Sequence, residues 1–175
     1  LIDSVYKWNG YDWANVSQGL PEGGLRFVEL QTLNDGSGVM LFARVRRLAG
    51  GVSTFDGRRW NGSAWVPTPA GFRATDGSTL PQISYDLGNG PEIFGVIRVR
   101  LGWYKIAKWD GSAWNAISGE FTAYGFKLIG FDDGTGPRLY AIGPPNTIGG
   151  VQFGGFARWV GGTEWERPPS NHWAL

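Results

Sequence analysis

Apolar and polar positions alternate in short runs along this chain, and each run is cut off by a turn that carries glycine. Arg44-Val45-Arg46 and Arg98-Val99-Arg100 are such runs, and Leu25 to Leu33 alternates in part. A period of two marks a strand with one covered face, and no stretch shows the 3.6-residue period of a helix. The clearest unit is Ile106-Ala107-Lys108-Trp109-Asp110-Gly111-Ser112-Ala113-Trp114, two strands ended by tryptophans around Asp-Gly. Asp-Gly predicts a type I′ hairpin turn, with positive φ at both central residues. Relatives of this unit recur as Trp8 to Trp13, Trp60 to Trp65 and, one residue longer, Trp159 to Trp165. The first tryptophans are 52, 49 and 50 residues apart.

A second motif alternates with the first. Leu33-Asn34-Asp35-Gly36-Ser37-Gly38 aligns with Tyr85-Asp86-Leu87-Gly88-Asn89-Gly90 and Phe131-Asp132-Asp133-Gly134-Thr135-Gly136, each leading into an apolar strand. It lies 25, 25 and 22 residues beyond the preceding first tryptophan, whereas a frame starting from Phe55-Asp56-Gly57 would give 30 in the second repeat. Four Trp hairpins and three Gly-x-Gly hairpins amount to fourteen short strands. Four strands per unit of about 50 residues is the blade of a β-propeller. The expected fold is therefore all-β, a propeller of four-stranded antiparallel blades with about 3.5 blades in this chain. The Gly-x-Gly hairpin supplies the inner strands and the Trp hairpin the outer ones. The expected division is an outer half-blade over 1–20, blades over 21–70, 71–119 and 120–168, and a tail over 169–175, all in one segment.

The motifs resemble those of bacterial propeller repeats that read as an apolar strand, F-D-D-G-x-G-P, an L-Y strand, a variable loop and I-A-x-W-D-G-S-x-W. Phe131 to Gly143 with Phe156 to Trp165, and Ile106 to Trp114, carry the likeness. It extends over nearly the whole chain and points to kelch-like propellers, which are common in large secreted or surface proteins. It implies an extracellular interaction or structural module and transfers no catalytic residue. Three and a half blades cannot close a ring alone, so the expected partners are copies of the chain or further blades of a longer one. The chain opens on Leu1 and shows no signal-peptide pattern, which reads as a processed or excerpted segment.

Composition narrows this little further. Sixteen basic and 15 acidic side chains leave a net charge of +1, too small a field to draw nucleic acid or an acidic membrane. No run of about 18 apolar residues offers a membrane-spanning helix. The absence of cysteine removes disulfides, thiol chemistry and Cys-ligated zinc. Twenty-nine glycines and 26 aromatic residues suit tight turns and packing between sheets.

Candidate chemistry is sparse. Strict recurrence assigns Trp8, Trp60, Trp109 and Trp159 to packing between blades, and the second members Trp13, Trp65, Trp114 and Trp165 to blade rims. At a rim an aromatic face can stack on a sugar ring, so these four, with Trp103 and Tyr104 in a loop position outside the repeat, are the candidate ligand residues of an alternative, lectin-like reading. Asp35, Asp86, Asp132 and Asp133 could attract Ca²⁺, but one or two acids per turn fall short of six to eight oxygens, and turn chemistry explains them. No metal or cofactor is expected. Arg44, Arg46, Arg47, Arg58, Arg59, Arg98 and Arg100 read as a solvated rim or ion pairs, with an anionic polysaccharide as the sharper alternative. His172 is the only histidine and lies in the tail, Glu164 and Glu166 share a strand face without a reason for a raised pKa, and the Asn61 sequon falls inside a turn. No enzyme is expected.

Overall fold

A computed structural model describes residues 4–21, 25–49, 51–72, 79–122, 126–143 and 147–168. Within them the protein is all-β, with no helix. A two-stranded half-sheet of β1 (Tyr6–Trp8) and β2 (Trp13–Asn15) comes first. Sheet 1 follows as β3 (Leu25–Asn34), β4 (Val39–Ala49), β5 (Val52–Trp60) and β6 (Trp65–Pro67). Sheet 2 contains β7 (Thr79–Asp86), β8 (Pro91–Arg100), β9 (Trp103–Trp109) and β10 (Trp114–Ala116). Both are antiparallel meanders in chain order. Sheet 3 repeats the plan with β11 (Lys127–Asp132), β12 (Pro137–Ile142), β15 (Phe156–Gly161) and β16 (Glu164–Glu166). Its central connection forms an additional hairpin, β13 (Thr147–Ile148) and β14 (Val151–Gln152).

The register explains the repeat. Leu33 faces Met40, Tyr85 faces Glu92 and Phe131 faces Arg138 across the first hairpin of each sheet. Trp60 faces Trp65, Trp109 faces Trp114 and Trp159 faces Trp165 across the second. Directly opposed residues share a sheet face, so both indoles of each hairpin lie on the same side. Their rings meet at 5.4 Å in sheet 1 and 5.5 Å in sheet 2, tilted as aromatic pairs prefer.

Two expectations about local geometry are corrected. The Trp hairpins of the half-sheet and of sheets 1 and 2 turn through four residues, as in Asp110 to Ala113, and among the described residues no side chain other than glycine has positive φ. The turn is not type I′. Instead the Asp110 carboxylate accepts the N–H groups of Ser112 and Ala113, and Gly111 alone takes φ +100°. Nor are all strands short, for β4 runs 11 residues.

Packing joins each sheet to the one before it. Val5 from the half-sheet packs with Ala43, Val45 and Trp65 of sheet 1. Leu33 and Phe42 of sheet 1 meet Ile93 and Trp109 of sheet 2 around Phe72. The largest cluster lies between sheets 2 and 3, where Phe94 and Ile106 meet Leu139 and Ala157. Burial of each such side chain stabilises the fold by about 1.5–3 kcal/mol relative to exposure. The extra hairpin adds Ile148 and neighbouring Phe153 to this cluster, so this part of the connection belongs to the core. The first strands lie side by side, β7 beside both β3 and β11. Gln31 donates to the Pro81 carbonyl, and Gln82 donates to the Phe126 carbonyl while accepting from the Leu128 N–H.

Candidate functional site: tryptophan latches between sheets

Each sheet fastens to its predecessor through the second tryptophan of its hairpin. Trp65 donates its indole N–H to the Val16 carbonyl at 2.8 Å, Trp114 to the Phe72 carbonyl at 3.0 Å, and Trp165 to the Ile117 carbonyl at 2.8 Å. The ring seals the apolar seam between sheets while its one polar atom finds a backbone acceptor, which removes the cost of burying it. Val16 and Ile117 stand three residues beyond Trp13 and Trp114. The corresponding residue after Trp65 is Thr68, but its N–H and hydroxyl turn back to the Gly57 carbonyl. The acceptor in sheet 2's seam is Phe72 instead.

Burial reverses the expected roles of the tryptophans in two sheets. Trp65 is 2 % and Trp165 6 % exposed, while Trp60 and Trp159 are half-buried. Only in sheet 2 is the first member, Trp109, the deeper one, with Trp114 half-buried against Phe72. Trp65, Trp114 and Trp165 are thus in seams between sheets and not at rims. Trp13 differs from all three. It is 61 % exposed beside Trp8 at 50 %. Trp103 and Tyr104 belong to β9 and not to a loop. Tyr104 is half-buried and bridges Phe121 through backbone hydrogen bonds, and the Arg100 guanidinium lies 4.3 Å from the Trp103 ring centre.

On the front of sheet 3 exposure is mixed, with Tyr140 only 1 % exposed. Phe131 is 49 % exposed there, although Leu33, at the same position of sheet 1, is 1 % exposed under sheet 2. Tyr140 and Phe156 stack on this face at 5.2 Å. Beside them the Tyr140 hydroxyl donates to Asp133 at 2.7 Å, Arg158 donates to the same carboxylate at 3.2 Å, and Arg158 also pairs with Glu166. Hydrogen bonds from the Thr135 and Tyr140 hydroxyls hold the Asp133 carboxyl well below the usual carboxylate range. Burial, then the Asp133 acceptor, pushes the Tyr140 phenol up to about 12. The bond to Glu166 raises Arg158 further. The network was not foreseen from sequence. Its signal was an Arg and a Tyr at inward-reading positions of the L-Y and A-R-W strands.

The turn acids are engaged by their own loops. Asp86 and Asp132 each accept two backbone N–H bonds, Asp35 and Asp133 accept the Ser37 and Thr135 hydroxyls, and Asp110 is held low by the N–H groups of Ala113 and Ser112 with Asn115 added. Among the described residues no three His, Cys, Asp or Glu side chains gather as a metal site. Three of the arginines pair with acids: Arg58 with Asp56 at 2.6 Å, Arg100 with Glu120 at 2.8 Å, and Arg44 with Glu29 at 3.7 Å. His172 lies outside the described residues. A cleft of about 590 Å³ opens between the turns of sheets 1 and 2, lined by Asp35, Asn89, Glu92, Lys108, Trp109 and Asp110. Lys108 and Glu92 close on each other at 2.8 Å, so their charges are spent within it. No helix of the described residues is long and apolar enough to cross a membrane. Comparison with protein-family models, with curated proteins and with solved structures finds no match to this chain.

Proposed function

We propose that the chain is a segment of a β-propeller, three four-stranded blades preceded by the outer half of another, and that it acts as a non-enzymatic extracellular scaffold for protein interaction. The observation that carries this reading is the repeated indole latch joining successive sheets of one plan, while the connections between them differ in length and content. A constant skeleton with variable loops is how a scaffold presents a binding surface. The side-by-side first strands β3, β7 and β11 fit blades set around a common axis. Among the described residues the turn acids are engaged by their own loops, which fits a scaffold better than a site poised for proton transfer or nucleophilic attack.

Titration with a panel of neutral and acidic oligosaccharides, followed by tryptophan fluorescence, tests the reading. A scaffold for proteins gives no saturable change. A saturable sugar-dependent change would overturn it in favour of the lectin-like alternative, for which the exposed indoles of Trp13 and Trp103 are the available platforms.

A further inference from the structure

The cleft between sheets 1 and 2 has a counterpart one seam further on. Seven of its lining positions recur, in the same motif register, around a cleft between sheets 2 and 3. Pro91, Ile93, Trp109 and Gly111 of the first are matched in kind by Pro137, Leu139, Trp159 and Gly161 of the second. The remaining three are not matched: Leu87 stands at the position of Asp35, Arg138 at that of Glu92, and Val160 at that of Asp110. The first cleft has a volume of about 590 Å³ and the second about 120 Å³. The second seam is built without an acid at any of these positions, so packing does not demand the three carboxylates of the first. Lys108 takes up Glu92 at 2.8 Å, which leaves Asp35 and Asp110, one from the turn of each sheet.

We propose that this cleft is a docking site for an arginine-bearing segment of a partner protein, whose guanidinium groups pair with Asp35 and Asp110. Both carboxylates are fixed in advance by their own loops: Ser37 bonds to Oδ1 of Asp35, and Ser112 and Ala113 bond to Oδ1 of Asp110. Such bonds orient a carboxylate and keep it ionised without neutralising its charge. The Arg59 charge also acts on Asp35, more weakly than the Ser37 hydroxyl. Groups already held in place lose little freedom when a partner arrives. Among the described residues no three acids gather closely enough to hold a metal ion, so the charge is spread along the cleft, which suits an extended chain with more than one cation. Arginine fits better than lysine because its planar fork gives a carboxylate two parallel bonds and sheds water more readily. The proposal rests on the scaffold reading and gives the partner a chemistry.

Titration of the chain with acetyl-tetra-arginine amide at low ionic strength, followed by heteronuclear NMR of the indole N–H groups, tests it. Trp109 lines the first cleft and Trp159 the second, so the two indoles report on the two clefts separately. The Trp109 resonance should shift saturably while that of Trp159 stays in place, and acetyl-tetra-glutamine amide should move neither. A double variant, Asp35→Leu with Asp110→Asn, should bind the arginine peptide more weakly by about tenfold or more. Each substitution installs the residue that another repeat of this chain carries at the same position, Leu87 and Asn61, and circular dichroism verifies that the parent fold is kept. No saturable shift at Trp109 overturns the proposal, as does an equal shift at Trp159, equal binding of the glutamine peptide, or a double variant that binds like the parent. A sugar response in the oligosaccharide titration defeats the scaffold reading whatever the peptide does, whereas a silent peptide titration without a sugar response defeats this proposal alone.

Discussion

Tyr85 of sheet 2 lies against Gly130 of sheet 3 so closely that a β-carbon on Gly130 would stand 2.1 Å from the tyrosine ring. The atoms in the way are the first ring carbons, which cannot swing aside like the end of a flexible chain. Glycine is needed here to let the first strands of adjacent sheets approach. Gly130→Ala should cost about 1–3 kcal/mol, as overpacking does. With Tyr85→Ala already in place, the same change should cost far less. Urea unfolding of the two single variants and the double variant measures this coupling, and additive losses would mean that the ring does not occupy that position.

Homologous tryptophans should respond unequally. Trp65→Ala opens a seam and leaves the Val16 carbonyl without its donor, so a loss of about 3–5 kcal/mol is expected. Trp65→Phe keeps most of the ring area but forfeits the hydrogen bond, worth about 1 kcal/mol. Trp13→Ala, at an exposed position of the dilute chain, should fall within about 0.5 kcal/mol of the parent. Equal losses at Trp13 and Trp65 in denaturant titrations would contradict the latch.

Acid should loosen the turns. Asp110 is held below its ordinary value chiefly by the Ala113 and Ser112 N–H groups, and a carboxyl depressed on folding contributes stability that is present above about pH 4 and lost as pH falls through the lower folded value. Asn9 and Asn61 hold the same turn position and accept the same pair of backbone bonds through an uncharged oxygen. Asp110→Asn should therefore keep the hairpin and be less stable than the parent at pH 7, with the gap narrowing toward pH 2. Asp110→Ala should be weaker than both at pH 7. The check is thermal unfolding of the three proteins across that range.

At the alkaline end Tyr140 dominates. A phenol whose folded value is raised to about 12 contributes stability that is complete below its ordinary value of about 10 and declines as pH rises toward 12. Ultraviolet titration should show one tyrosine ionising near pH 12 in the folded chain, absent in Tyr140→Phe. Loss of the hydroxyl bond to Asp133 should also release part of the depression of that carboxyl.

How much of this was legible in the sequence depends on the element. The hairpins could be read because a tryptophan marks each end of a turn rich in Asp, Asn and Gly, and the four-stranded units follow from their spacing. Which tryptophan is buried could not be read. Trp60 and Trp65 are opposed across the ladder and share one face, so alternation cannot separate them, and it is Trp65 whose indole reaches the Val16 carbonyl of the preceding half-sheet. The turn type was missed because Asp110 bonds forward through its side chain and Asp-Gly serves a four-residue loop as readily as a two-residue one. Trp103 and Tyr104 were placed in a loop because they fall outside the aligned motif, whereas β9 simply extends to reach them. The β13–β14 hairpin did carry a signal, the Gly149-Gly150 pair between Ile148 and Val151, that was absorbed into a variable loop.

The claim on which the rest depends is that successive sheets are held together by the indole N–H groups of Trp65, Trp114 and Trp165. Hydrogen exchange at the indole nitrogens, resolved by heteronuclear NMR on dilute, singly dispersed chain, tests it most directly. Those three protons should exchange slowly, with Trp13 exchanging as fast as a free indole. Trp65 and Trp165 exchanging as fast as Trp13 would contradict the latch and, with it, the continuous arrangement of sheets.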